Sequence, residues 1–310
     1  MDIVLVSVLA AAVRLSISIA FAALGELVSQ RAGIMNVGVE GIMSLAAFLA
    51  AFGAVYTGSP WGGVAFALCG GVALAAVHAV FVIYLCADQI VSGLALVLLG
   101  AGLSGVGYRL TIGQSPSSIP VFGPVDFGML SELPVLGPLV FGHTVLVYIA
   151  FGMALLLYVA MSRTSWGLEL RASGENPSAA DAAGVNVGVL RFLAVLFGGA
   201  LAALGGAFLV LAQVNAFVEG MVAGRGFIAI ACVVFGAWHP LGVLLACLGF
   251  GLTDALQIRL QIWYPGIPYQ FFVMLPYVVA LVALVVFACR SVGPAALGLS
   301  FRTYRSQRKS

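Results

Sequence analysis

The chain has 310 residues, of which 63% are hydrophobic and only 8% charged. A water-soluble surface needs about a quarter of all residues charged, so the solvent around most of this chain is lipid. The net charge of +2 comes from scattered basic residues, which excludes the clustered basic face of a nucleic-acid binder.

The apolar runs are long and continuous, whereas a lipid-facing barrel would show short alternating segments. About 20 apolar residues span the hydrocarbon core as a helix. The expected architecture is an all-α polytopic membrane protein of about nine to ten transmembrane helices. The N-terminus reads Met1-Asp2-Ile3, with neither the basic region nor the cleavage site of a secretory signal, so the first run is expected to be a retained span. Spans are predicted at residues 3–24, 35–56, 61–85, 90–112, 141–161, 190–212, 221–238, 240–258 and 270–289. Proline at position 240 separates two of them, because it ends a helix.

Two stretches interrupt the apolar pattern: 113–140, rich in Pro, Gly and Ser, and the polar 162–190. Arg163, Arg171 and Arg191 mark the second, and Arg302, Arg305, Arg308 and Lys309 make the tail basic. Basic loops stay in the cytoplasm. Placing both stretches there requires an even number of crossings between them, as the predicted spans provide. The N-terminus and loop 113–140 are then outside. So is 257–270, whose Trp263, Tyr264 and Tyr269 suit an interfacial belt.

Residues 22–41 read AALGELVSQRAGIMNVGVEG and residues 202–220 read AALGGAFLVLAQVNAFVEG. The polar match is N-x-x-V-E-G, Asn36 to Gly41 against Asn215 to Gly220. The copies follow spans of opposite direction, so the repeat is inverted, as in transporters whose pathway lies where two halves meet. The chain divides as one transmembrane domain, 1–310: a first half with an extra helix (1–161), a polar loop (162–190), a second half (190–289) and a basic tail (290–310).

Several chemistries are absent. The only lysine is Lys309, so no phosphate-binding loop can form, and G-x-S-x-G is missing. His78, His143 and His239 share no ligand spacing, and Cys69, Cys86, Cys232, Cys247 and Cys289 fit buried packing better than metal or redox sites. Nothing calls for a catalytic residue, a metal or a cofactor. If ATP drives the process, another chain hydrolyses it.

Within 162–190 a short helix is written: Asn176 as cap, Pro177 at the first helical position, Asp181 near the positive end, Gly184 as the stop. Its interior is mostly alanine, which lets another surface approach. In this loop GLELRASGENPSAADAAGVNV, together with the N-terminal LGELVSQRAGIMNVGVEGIMSLAAF, resembles the permease subunits of the branched-chain amino acid, ribose and nucleoside family of ABC importers. The likeness is strongest to the nucleoside and simple-sugar branch. The resemblance implies a type II importer fold, a dimeric transmembrane core with a second permease subunit (a copy or a paralogue), a separate ATPase subunit and a substrate-binding protein. It also implies that Glu175, Asn176, Pro177, Ala179, Ala180, Asp181 and Gly184 dock on the ATPase, and that the setting is the bacterial inner membrane.

Charges inside a membrane usually face a bundle interior or a path. Asn36 and Glu40 share a helical face, as do Asn215 and Glu219. Each pair either holds a helix end or lines the translocation pathway. Mid-span Arg14 is expected to meet a carboxylate or backbone carbonyls, whereas Asp88, Arg109, Arg225, Asp254 and Arg259 fall near predicted span ends and read as interface anchors. Small-residue runs such as GGALAALGG at 198–206 read as close helix packing. The leading function is permeation of a small polar solute, nucleoside first and sugar second, as an ABC importer subunit. The competing readings are an ion- or proton-coupled secondary transporter and a passive channel.

Overall fold

The computed structural model describes residues 2–114, 118–128, 133, 135–287, 293–299 and 301. The predicted tail charges Arg302, Arg305, Arg308 and Lys309, and Cys289, lie outside the described residues. The helices are α1 (Asp2–Arg31), α2 (Val39–Thr57), α3 (Pro60–Ala79), α4 (Gln89–Leu110), α5 (Val145–Arg163), α6 (Ser165–Glu175), α7 (Pro177–Ala182), α8 (Val187–Phe208), α9 (Arg225–Phe235), α10 (Pro240–Trp263), α11 (Tyr269–Val273) and α12 (Leu275–Phe287). Wider π-turns extend α3 to Tyr84 and α8 to Val214. Among the described residues, seven helices are long and apolar enough to cross a membrane, and 225–235 and 269–283 form shorter apolar helices.

The predicted span 221–238 needs correction. Its helix has 11 residues, about 16 Å at 1.5 Å each, which is half a hydrocarbon core. The other half is covered by non-helical chain, residues 215–224, which runs from the end of α8 to the start of α9. The crossing exists, but half of it is unwound. The span predicted to end at 258 also continues as α10 to Trp263.

Helix directions follow from which residues touch. Along the α1–α8 seam, Gly205 meets Ser18, Gly198 meets Gly25, and Ser29 Oγ donates to Ala194 O at 3.3 Å. One index rises as the other falls, so the two helices are antiparallel. Along α3–α8, Gly63 meets Leu211 and Gly71 meets Ala203, again antiparallel. By contrast α2 and α4 run parallel, with Gly41 against Leu96 and Phe48 against Gly107.

The neighbour pattern carries the inversion. Exchanging α1 with α8, α2 with α9 and α3 with α10 maps α1–α10 onto α8–α3, α2–α8 onto α9–α1, and α2–α3 onto α9–α10, and each of these pairs is in contact. The chain therefore packs as two antiparallel units around the α1–α8 seam.

That seam is tight because the residues are small. Hydrocarbon offers no hydrophobic drive between helices, so close backbone approach and dispersion hold them together. A Cβ on Gly25 would sit 2.5 Å from Gly198 O, and one on Gly100 would collide with Gly41 O. The 198–206 run does what its composition predicts. Cys232 and Cys247 are buried as expected, whereas Cys69 is exposed on the outer surface of α3.

Gly100→Ala should therefore push α4 off α2 and destabilise the fold by about 1–3 kcal/mol. Gly152→Ala and Gly249→Ala, whose new methyls meet nothing within 4 Å, should leave the melting temperature in detergent unchanged. Equal midpoints for all three variants would contradict the close α2–α4 packing.

Candidate functional site

The polar loop folds as its residues dictate. Asn176 Oδ1 accepts from Ala179 N at 3.0 Å, Pro177 takes the first helical position, and Gly184 closes α7 with φ +92. Only glycine adopts that conformation without steric cost. Pro177 and Ala180 are buried, turning inward, while Asn176, Ala179 and Gly184 are exposed. Asp181 and Gly184 line one wall of an open cavity of about 690 Å³ beside Tyr84 and Phe301. The helix before it, α6, was not anticipated.

Beneath α6 and α7 lies a bonded floor. Arg191, counted from the sequence among the basic residues at the edge of the polar loop, is 1% exposed and donates to Leu299 O at 3.0 Å and Ser173 O at 3.2 Å. Glu175 Oε2 accepts from Ala295 N at 3.2 Å, and Arg31 donates twice to Trp238 O at 2.8 and 2.9 Å. Trp238 Nε1 donates to Gln30 Oε1, Gln30 Nε2 to Glu26 Oε1, and Asn36 N to that same Glu26 oxygen. The C-terminal ends of α1, α6 and α9, the start of α8 and the 293–299 segment are thus tied together.

Deeper in, Glu40 in the first turn of α2 reaches across to α9. Its carboxylate accepts from Gly224 N at 2.8 Å and Gly226 N at 2.7 Å, capping α9 from another helix. Ala223, just ahead, is held at φ +51, a left-handed conformation rare for a residue with a Cβ. Asn36 Oδ1 accepts from Gly38 N at 3.0 Å, shaping the turn into α2.

The second copy of the motif behaves differently. Asn215 ends α8 at φ +61 and is exposed. Glu219 forms a two-point ion pair with Arg109 at the outer end of α4, both bonds 2.8 Å. Phe217 anchors the segment between them, its ring packed on Tyr108 and Phe48. The four candidate pathway residues therefore form two sites: Asn36 and Glu40 where α2 begins against α9, Asn215 and Glu219 beside Arg109 at the C-terminal end of α4.

Residues 8–289 match the model of the branched-chain amino acid transport system permease component family. The chain belongs to this family. It is 36% identical to the nucleoside ABC transporter permease protein NupC of Lactococcus lactis, over 91% of this chain and 92% of NupC. The guanosine ABC transporter permease protein NupQ of Bacillus subtilis is 33% identical, over 90% and 91%. The putative glucose ABC transporter permease protein TsgC13 of Haloferax volcanii is 40% identical, over 81% and 77%. No solved structure matches the chain.

The permease also places several charges where hydropathy did not. Arg225 opens the half-helix α9 rather than ending a span, and Asp254 lies well inside α10 rather than near its end. Both expected anchors are corrected on that account. Asp88 does anchor an end, its Oδ1 accepting from Ile90 N and Val91 N, and Arg259 donates to Ser7 Oγ at 2.6 Å. Arg14 is exposed midway along α1 and, against expectation, makes no hydrogen bond or ion pair among the described residues.

Glu40→Ala should strand two backbone N–H groups, at about 1–3 kcal/mol each, and lower the melting temperature in detergent by several degrees. Glu219→Ala, at an exposed rim, should leave the midpoint near wild type. A reversed order of the two variants would show that Glu40 does not hold α9.

Proposed function

We propose that this chain is the membrane-spanning subunit of an ATP-binding-cassette importer, and that α7 is the element on which a separate ATPase subunit docks. The observation that carries the proposal is the small capped helix with exposed Ala179 and Gly184, seated on a floor of buried hydrogen bonds. A flexible connector would not need that floor. Glu175 and Asn176 stand exposed at the junction of α6 and α7, so the docking face is read as Glu175, Asn176, Ala179, Asp181 and Gly184, with Pro177 and Ala180 supporting it from below.

Nucleosides are the proposed solutes and simple sugars the runner-up. Support comes from the two nucleoside permeases that align over about nine-tenths of the chain, against one glucose permease of higher identity and shorter coverage. The relatives also favour a paralogous second permease. Lactococcus lactis and Haloferax volcanii each have another, more distant permease, NupB and TsgB13, which align over 34% and 44% of this chain. A substrate-binding protein would deliver the solute from outside, and the setting would be the inner membrane of a bacterium. ATP binding would close the ATPase pair, and α7 would carry that motion to the spans. The mid-membrane Asn36 and Glu40 and the rim pair Asn215 and Glu219 are read as parts of the path or its gates.

Ala179→Trp should leave the permease folded in the membrane yet abolish both co-purification of the ATPase subunit and solute uptake. Asn176→Ala, which removes a cap bond of about 1 kcal/mol, should weaken both partially. Wild-type uptake with no ATPase present, or uptake abolished by collapsing the ion gradients while ATP remains, would sink the ABC assignment in favour of a channel or an ion-coupled carrier.

A further inference from the structure

A cavity of about 200 Å³ opens between α1, α9, α10 and the α11–α12 segment, lined by Leu15, Arg225, Asp254, Gln257 and Tyr277 among others. Asp254 stands 14 residues after Pro240 on a helix of 24, about 21 Å along its length, and Leu15 is midway along the 30-residue α1. The cavity therefore sits within the membrane, away from both rims.

Its polar groups keep unmet hydrogen-bonding capacity. The Asp254 carboxylate makes no hydrogen bond or ion pair with any described residue, although it shares the cavity with a guanidinium. Arg225 donates through Nη1 to Met221 O at 3.0 Å, while its Nε is buried without a partner. Gln257, one turn beyond Asp254, makes no hydrogen bond among the described residues either. In hydrocarbon each unmet polar group costs several kcal/mol, and ionisable side chains there face an interior or a water-filled route. The unmet polar groups of this cavity therefore favour a polar occupant.

We infer that this cavity is a solute-contact site on the translocation path, built for a neutral polyhydroxylated molecule such as the sugar ring of a nucleoside or a hexose. The inference rests on the solute class proposed above. One positive and one negative group make the site neutral overall, which disfavours an ion. A carboxylate accepts from paired hydroxyls, and a guanidinium and an amide donate to hydroxyl and ring oxygens. Tyr277, 53% exposed, offers an aromatic face to the C–H side of a sugar. The open side, bounded by exposed Ile258, Val273 and Tyr277, is where the second permease subunit would complete the wall.

The test uses the complete importer, co-expressed in cells, with labelled uridine and glucose as probes. Wild-type chain that transports neither solute would overturn the proposed solute class, and with it this assignment. Where wild type transports, Asp254→Asn and Gln257→Leu should raise the transport KM or cut uptake about 10-fold or more, with ATPase co-purification unchanged. In a background lacking the native cysteines, Gln257→Cys should react with a membrane-impermeant thiol reagent, and saturating solute should slow that reaction. Wild-type uptake in both polar variants, a cysteine that never reacts while a loop control does, or a reaction indifferent to solute would each overturn the site.

Discussion

The arrangement hangs on a carboxylate offered by one helix to the start of another in the middle of a membrane. A helix N-terminus leaves backbone N–H groups without partners and carries positive partial charge, and no water is at hand in hydrocarbon to satisfy them. Glu40 supplies both the acceptor atoms and the opposite charge, through Gly224 N and Gly226 N. That makes an 11-residue half-helix tolerable. It also makes the ten irregular residues ahead of it possible, since their far end is pinned. Non-helical backbone at membrane depth survives only where protein or a polar cavity surrounds it. Here Phe217 wedges the outer part against Phe48 and Tyr108, and the Arg225 cavity flanks the inner part.

For Glu40 to reach α9, α2 must begin at the right depth, and small residues set that depth. Asn36 is drawn back into the membrane by the bond from its N–H to Glu26, so α2 starts below the end of α1. Gly41 then lets α4 lie against α2, and Gly206 lets α8 do so from the other side. The inverted neighbour pattern brings the starts of α2 and α9 together near the molecular centre. Packing and capping are thus one constraint: a larger residue at any of these glycines moves the acceptor away from its donors.

How much of this could be read from residues alone depended on whether the cause was local. The α7 helix was legible because its cap, its proline and its glycine stop lie within nine positions and act on their own backbone. The spans were legible because hydropathy adds over a window. The half-helix was not, because an apolar run looks the same whether wound or unwound, and only the distant Glu40 decides where α9 starts. Asp254 and Arg225 were misplaced for the same reason, being assigned to span ends that the backbone did not respect. The repeated N-x-x-V-E-G was visible as a pattern, yet its two glutamates do different work. Glu40 meets backbone donors of α9 and Glu219 meets the side chain of Arg109, and nothing within the motif distinguishes them. Arg191 read as a loop cation because its acceptors, Ser173 O and Leu299 O, come from two remote segments.

The same bonds bear on how movement at the inner face would travel. From α7 the chain passes directly into α8 and, through α6, to Ser173, whose carbonyl holds buried Arg191 and whose hydroxyl donates to Ala32 O. Arg31 next door grips Trp238 O, and Trp238 closes α9. These elements are helical or hydrogen-bonded at both ends, so they transmit displacement more readily than they absorb it. The segment that lacks a regular ladder is 215–224, pinned inside by Glu40 and outside by the exposed Arg109–Glu219 pair. Of those two pins the buried one has no water to replace it, whereas the exposed one competes with solvent and salt.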